Sequence, residues 1–113
     1  MILTKCGTLP DKMFENYLDR LVGRFFKILV MKEDKNNTLN TYIHSFQSEL
    51  IGSKNLINLL NNDARFMTLV NILQFFLDNE YSDKECKREV MKCIDISKQL
   101  KSFYFPKDGD SDG

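Results

Sequence analysis

The chain has 113 residues, of which 42% are hydrophobic and 28% charged, a composition typical of one globular domain. Sixteen basic residues balance sixteen acidic ones, so the chain lacks the overall positive charge that favours binding to nucleic acid or anionic membranes. Its apolar runs are much shorter than the roughly 20 residues that span a bilayer. We also find no apolar secretion signal near Met1 and therefore expect a cytoplasmic protein.

The cysteines are few and odd in number: Cys6, Cys86 and Cys93. This pattern differs from the disulfide frameworks of small secreted domains. On one helix, Cys86 and Cys93 would lie about 10.5 Å apart along the axis, too far for a disulfide bond. We expect buried, unpaired thiols. The frequent Asn, Lys and Ile residues suggest an AT-rich coding sequence and a bacterial or phage origin.

The first predicted helix begins in the segment 8–11. Thr8 is a candidate cap, Pro10 suits the first turn, and Asp11 complements the positive end of the helix dipole. Apolar residues at helical spacing continue to about Lys32 and define an inner face. The members of that face are Phe14, Leu18, Leu21, Val22, Phe25, Ile28 and Leu29. The charged and Asn-rich segment 33–37 then predicts a loop.

A second helix is predicted from Leu39, with Asn37 or Thr38 as its cap and Gly52 as its end, since glycine suits the turn after a helix. Ser53 is then expected to cap a short helix that carries four apolar residues. These residues are Leu56, Ile57, Leu59 and Leu60.

The segment 66–77 is the most apolar stretch of the chain. Read as a helix, it is apolar around most of its circumference, which requires neighbours on several sides. The preceding residues 61–63 offer its cap. We therefore predict that a helix over 64–78 is central to the fold.

The last predicted helix begins with the capping box Ser82–Glu85 and ends before Pro106. No segment alternates with the period of a strand. The sequence thus predicts an all-α, compact bundle of four main helices plus one short helix, forming a single domain over 1–105. Residues 106–113 are predicted to be a flexible acidic tail.

Catalytic and metal sites have little support in the sequence. Residues 108–113 match the first half of a calcium loop, but the later ligand positions are missing. We therefore expect a solvated tail, with a truncated calcium loop as the alternative. His44 is the only histidine, and it has no adjacent set of ligands or nucleophile. The expectation is a non-enzyme without cofactor or metal; a small enzyme built around His44 and a cysteine is a weaker alternative.

Aromatic residues are the main indication of function, with nine Phe and four Tyr in the chain. Several apolar side chains lie away from the predicted core faces, where exposed rings could anchor a partner. The candidate partner-binding residues are Tyr17, Phe26, Met67, Phe75 and Tyr81. We expect a protein-protein interaction module that binds another protein or a second copy of itself as a homodimer. Size and composition suggest a small accessory or inhibitory factor of a bacterial or phage mobile element.

The alternative is a nucleic-acid-associated regulator. Arg20, Arg24 and Lys27 form a basic edge on the first helix, and the last helix is rich in lysine. Such side chains could contact phosphates. Acidic residues interrupt the last helix, however, and no helix-turn-helix spacing is clear.

Overall fold

The computed structural model describes residues 2–106. Within this part of the chain, a short hairpin precedes five helices. The strands are β1 (Ile2–Thr4) and β2 (Gly7–Leu9), and the helices are α1 (Asp11–Glu33), α2 (Leu39–Leu56), α3 (Asn58–Asn61), α4 (Ala64–Asp78) and α5 (Asp83–Tyr104). The prediction of an all-α bundle with four main helices and one short helix is confirmed.

The core lies between two pairs of helices. α1 packs mainly against α5 and α2 mainly against α4, while α4 also contacts α5. The bounds predicted for the central helix are those of α4, which has neighbours on both sides. Its six buried residues are Phe66, Leu69, Val70, Ile72, Leu73 and Phe76. Large side chains from every long helix are fully buried, including Phe14, Phe25, Phe46, Phe66 and Phe76.

Side-chain hydrogen bonds cap the N-termini of α4 and α5, as the sequence predicts. The Asp63 carboxylate accepts the backbone N–H groups of Arg65 and Phe66 at the start of α4. Ser82 and Glu85 form a reciprocal capping box at the start of α5. Both arrangements satisfy N–H groups that have no partner within the helix.

The hairpin is the main departure from the predicted secondary structure. β1 and β2 pair antiparallel, with Ile2 opposite Leu9, and Thr4 also bridges to Ile57. Three-residue strands are too short to produce a clear alternating pattern. Thr8 consequently lies in β2 and does not cap α1, which begins at Asp11 after Pro10 without a side-chain cap.

The predicted boundary at Gly52 is also wrong. α2 continues through Gly52 to Leu56, and α3 starts after Ile57, so Ser53 caps no helix. A glycine inside a helix costs only about 1 kcal/mol relative to alanine. The buried residues Phe46 and Leu50 hold this helix in place by packing, which outweighs that cost. Thr38 does precede α2, but its side chain makes no capping hydrogen bond.

Among the described residues, no helix is long and apolar enough to cross a membrane. The predicted acidic tail and the partial calcium loop lie outside the described residues, apart from Pro106.

Candidate interaction surface

α1 and α5 run antiparallel, and ion pairs fix their register. Lys101 Nζ lies 2.7 Å from Asp19 Oδ1, and Lys32 Nζ lies 4.0 Å from Asp83 Oδ1. The hydrogen bond to Asp19 raises the pKa of Lys101. Phe26 and Met91 each lie near the midpoint between these two pairs on their own helix, so they are at about the same height along α1 and α5.

Phe26 and Met91 also share one face of this helix pair. Asp19 and Lys98 line the same shallow groove between α1 and α5. Phe26 is seven residues after Asp19, and Met91 is seven before Lys98. Seven residues are about two helical turns, so each pair projects on the same side of its helix.

This surface, the α1–α5 face, has an apolar centre. Phe26 is 51% exposed, Met91 43% and Val30 39%, while Val22 is half-buried beside them. Phe26 and Val30 are four residues apart and therefore adjacent on the helix surface. Exposed apolar side chains scattered singly are ordinary, but several on one face indicate a contact surface.

The charges on the α1–α5 face are segregated by helix. α1 contributes Asp19 and Glu33, each seven residues from Phe26, whereas α5 contributes Lys84, Lys87 and Lys98; all five are exposed. Asp95, also exposed, is the one carboxylate within the α5 stripe from Lys84 to Lys98. On this face the apolar centre is thus bordered by carboxylates on the α1 side and mainly by lysines on the α5 side.

The five predicted partner-binding residues do not form one surface. Phe26 and Met67 are exposed, but they belong to α1 and α4. Phe75 and Tyr81 are half-buried and pack around Phe76, with ring centroids 5.9 Å and 4.7 Å from it. Only Phe26 lies on the α1–α5 face. Val30 and Met91 were not among the predicted residues, although an isolated methionine on the lysine-rich side of a helix was a usable signal.

Tyr17 lies in a different groove, between α1 and α2, with Arg20, Arg24 and Glu49. Its hydroxyl is buried and makes no hydrogen bond of normal geometry with any described residue. Burial raises the pKa of Tyr17 to about 12, against an opposite effect of the neighbouring Ser53. The hydroxyl therefore stays protonated and the ring serves the packing of α1 on α2.

The predicted basic edge is largely engaged within the fold. Arg24 Nη1 lies 2.9 Å from Glu49 Oε2, and its guanidinium lies 4.3 Å from the Phe46 ring centroid. Lys27 Nζ lies 5.1 Å from the Tyr42 ring centroid. Arg20 is exposed. The structure therefore does not present these residues as one open row of cations.

A polar groove of about 560 Å³ lies where the α1–α2 and α4–α5 loops meet. Several of its polar side chains make hydrogen bonds within the chain. Asn36 accepts a hydrogen bond from Thr38, Asn79 donates to the carbonyl of Phe75, and Asp78 accepts from Gln74. The groove therefore forms mainly because the ends of several helices meet there.

The described residues hold no group of three potential ligands that could bind a metal ion. His44 is exposed, whereas Cys86 and Cys93 are buried. Burial raises the pKa of Cys86 to about 11 and that of Cys93 still further. Buried protonated thiols are poor nucleophiles.

These features define a small all-α protein with an apolar, charge-bordered helical face. Protein ORF5 of Chlamydia phage 1 is 36% identical to this chain over 64 residues, which make up 55% of this chain and 67% of the phage protein. The chain belongs to the family of this phage protein. This phage relative agrees with the bacterial or phage origin expected from the composition. No protein-family model matches the chain, and no solved structure matches it.

Proposed function

We propose that this protein is a non-enzymatic phage accessory factor that acts by binding another protein molecule through the α1–α5 face. The observation that carries the proposal is the row of exposed apolar side chains Phe26, Val30 and Met91 on one face. Aromatic and methionine side chains are enriched at protein interfaces, and charged borders set orientation.

The balance of charges supports a protein partner over nucleic acid. The chain has no net charge, and the α1–α5 face pairs carboxylates on α1 with lysines on α5. On this face, Asp19 and Glu33 would repel a phosphate backbone. Arg24, the most firmly held of the predicted nucleic-acid contacts, already has a carboxylate partner in Glu49.

Site-specific photocrosslinking tests this proposal. A photoreactive phenylalanine analogue replaces Phe26 in one variant and Met91 in another, and each is irradiated in the native host. The control carries the analogue at Asn71, which is exposed on α4. We expect a discrete protein adduct, identified by mass spectrometry, from positions 26 and 91 but not from 71. Equal labelling at all three positions, or no adduct at 26 and 91, would contradict the proposal.

A further inference from the structure

We infer that the partner on the α1–α5 face is a second copy of this chain, with α1 of each copy packed along α5 of the other. The inference rests on the proposed function, since it assigns an occupant to the same face. The arrangement is a two-fold dimer whose symmetry axis runs parallel to the two helices. Such an isologous contact requires a surface that is complementary to itself.

Charge complementarity selects this arrangement. The two possible face-to-face dimers place α1 either on the partner's α1 or on its α5. In the first, the carboxylates of Asp19 and Glu33 meet one another, and the lysines of the two α5 helices meet as well. In the second, Asp19 and Glu33 each face lysines of the partner's α5. Like charges across an interface are costly, whereas opposite charges fix its register.

The register within one chain also fits the second arrangement. Rotation about an axis parallel to the helices does not change the height of any residue along them. Phe26 therefore meets Met91 of the second copy, because these residues are level within one chain. Asp19 is level with the segment from Lys98 to Lys101, to which its own ion pair binds it. Glu33 is likewise level with Lys84, next to the contact between Lys32 and Asp83.

The available area is sufficient for a modest dimer. Helices of 23 and 22 residues are about 33 Å long, and two neighbouring helices are roughly 20 Å wide. The face therefore offers on the order of 600 Å² per copy, near the lower end for specific interfaces. We expect a reversible dimer that weakens as salt screens its charged border.

Charge reversal on each helix separately provides the test. One variant combines Asp19→Lys with Glu33→Lys, and the other combines Lys84→Glu with Lys98→Glu. Each variant alone places like charges across the contact and is expected to be monomeric. In a mixture of the two variants, both α1–α5 contacts of a heterodimer again place acidic side chains opposite basic ones, so we expect the heterodimer to form. Sedimentation velocity over roughly 1 µM to 1 mM measures the association.

Two controls make the result specific. Far-ultraviolet circular dichroism establishes that each variant is folded. Asp78→Lys combined with Glu80→Lys changes the net charge as much as the α1 variant but lies outside the α1–α5 face, and it should dimerise normally. The inference is overturned if the wild-type chain stays monomeric, if either single variant still dimerises, or if the mixture does not associate. A monomeric chain that still gives an adduct with a different protein at position 26 would overturn only the dimer.

Discussion

The hydroxyl of Tyr104 donates a hydrogen bond to Oδ2 of Asp63, at 2.6 Å. The same carboxylate accepts two backbone N–H groups at the start of α4 and forms an ion pair with Arg65. One side chain therefore caps α4 and holds the end of α5 against it. This contact joins residues 41 positions apart in sequence.

Removing the Tyr104 hydroxyl should weaken this connection. We expect Tyr104→Phe to lower the free energy of unfolding by about 1 kcal/mol, because a hydrogen bond to a charged acceptor is lost from a partly exposed site. Tyr81→Phe is the control, since the Tyr81 hydroxyl has no hydrogen bond among the described residues, and it should be nearly neutral. Urea unfolding of both variants measures the difference. Equal effects would contradict the assigned role of Tyr104.

The same carboxylate should make stability depend on pH. Burial favours the protonated form of Asp63, but hydrogen bonds from Arg65, Tyr104 and two backbone N–H groups outweigh it and lower its pKa. The charged Asp63 side chain therefore gives its full stabilisation when the pH is above the carboxyl pKa of the unfolded chain, about 3.9. This stabilisation is lost as the pH falls through the lower pKa that Asp63 has in the folded chain.

Asp63→Asn tests this dependence. At about pH 7 we expect the variant to unfold more easily by about 1–2 kcal/mol, since the charged acceptor is gone. The difference should shrink as the pH falls below about 4, because the carboxylate is then protonated in the unfolded chain but stays charged to lower pH in the folded one. Urea titrations at several pH values provide the measurement. A difference that stayed constant down to pH 2 would exclude the carboxylate charge as its source.

The capping box makes a separate contribution at the start of α5. Ser82→Ala removes the oxygen that accepts the backbone N–H of Glu85 and should cost about 1 kcal/mol. Ser48→Ala, at an exposed position on α2, is the matched control and should have little effect. Thermal unfolding followed by circular dichroism compares the two. A larger loss for Ser48→Ala would refute the prediction.

Thiol labelling should distinguish the three cysteines. Cys6 is exposed, and Cys86 and Cys93 are buried with pKa values raised chiefly by burial. At about pH 8, we expect one thiol to react rapidly with a water-soluble disulfide reagent and the other two to react only after unfolding. Cys6→Ser should abolish the rapid phase. Rapid labelling of Cys86 or Cys93 in the folded chain would contradict the described packing.

Neighbouring arginines on α1 should differ in their effect on stability. Arg24 contacts Glu49 and the Phe46 ring, whereas Arg20 is exposed. Arg24→Ala should cost about 1 kcal/mol through lost packing and charge-assisted hydrogen bonding, and Arg20→Ala should cost almost nothing. Urea unfolding compares the variants. Retention of both on immobilised DNA, equal to that of the wild-type chain, would also argue against a nucleic-acid role for this edge.

Patterns of helical period and local capping predicted most of the fold. The capping box at Ser82 and the Asp63 cap depend on residues three positions apart or fewer, so they are readable from the sequence. The hairpin is not, because Thr4 pairs with Ile57 only after α2 has been placed. Gly52 misled the prediction because the burial of Leu50, a tertiary property, decides whether α2 continues.

The candidate site was predictable only in part. Phe26 is recognisable because it lies off the apolar stripe of its own helix. Its relation to Met91, 65 positions away in sequence, depends on the antiparallel register of α1 and α5, which no local pattern encodes. Tyr81 and Phe75 also lie off the stripes, but both are half-buried and pack against the core beside the ring of Phe76.

The pairing of α1 with α5 affects how the chain acquires its structure during synthesis. α1 leaves the ribosome well before α5, its main packing partner, so the apolar stripe of α1 lacks that cover until α5 has been synthesised. Contacts of such long range also slow folding relative to helical proteins built from neighbouring segments. The nascent chain thus carries the aromatic side chains of α1 without their α5 cover while residues 34–82 are being added, which makes this stage the one most prone to aggregation.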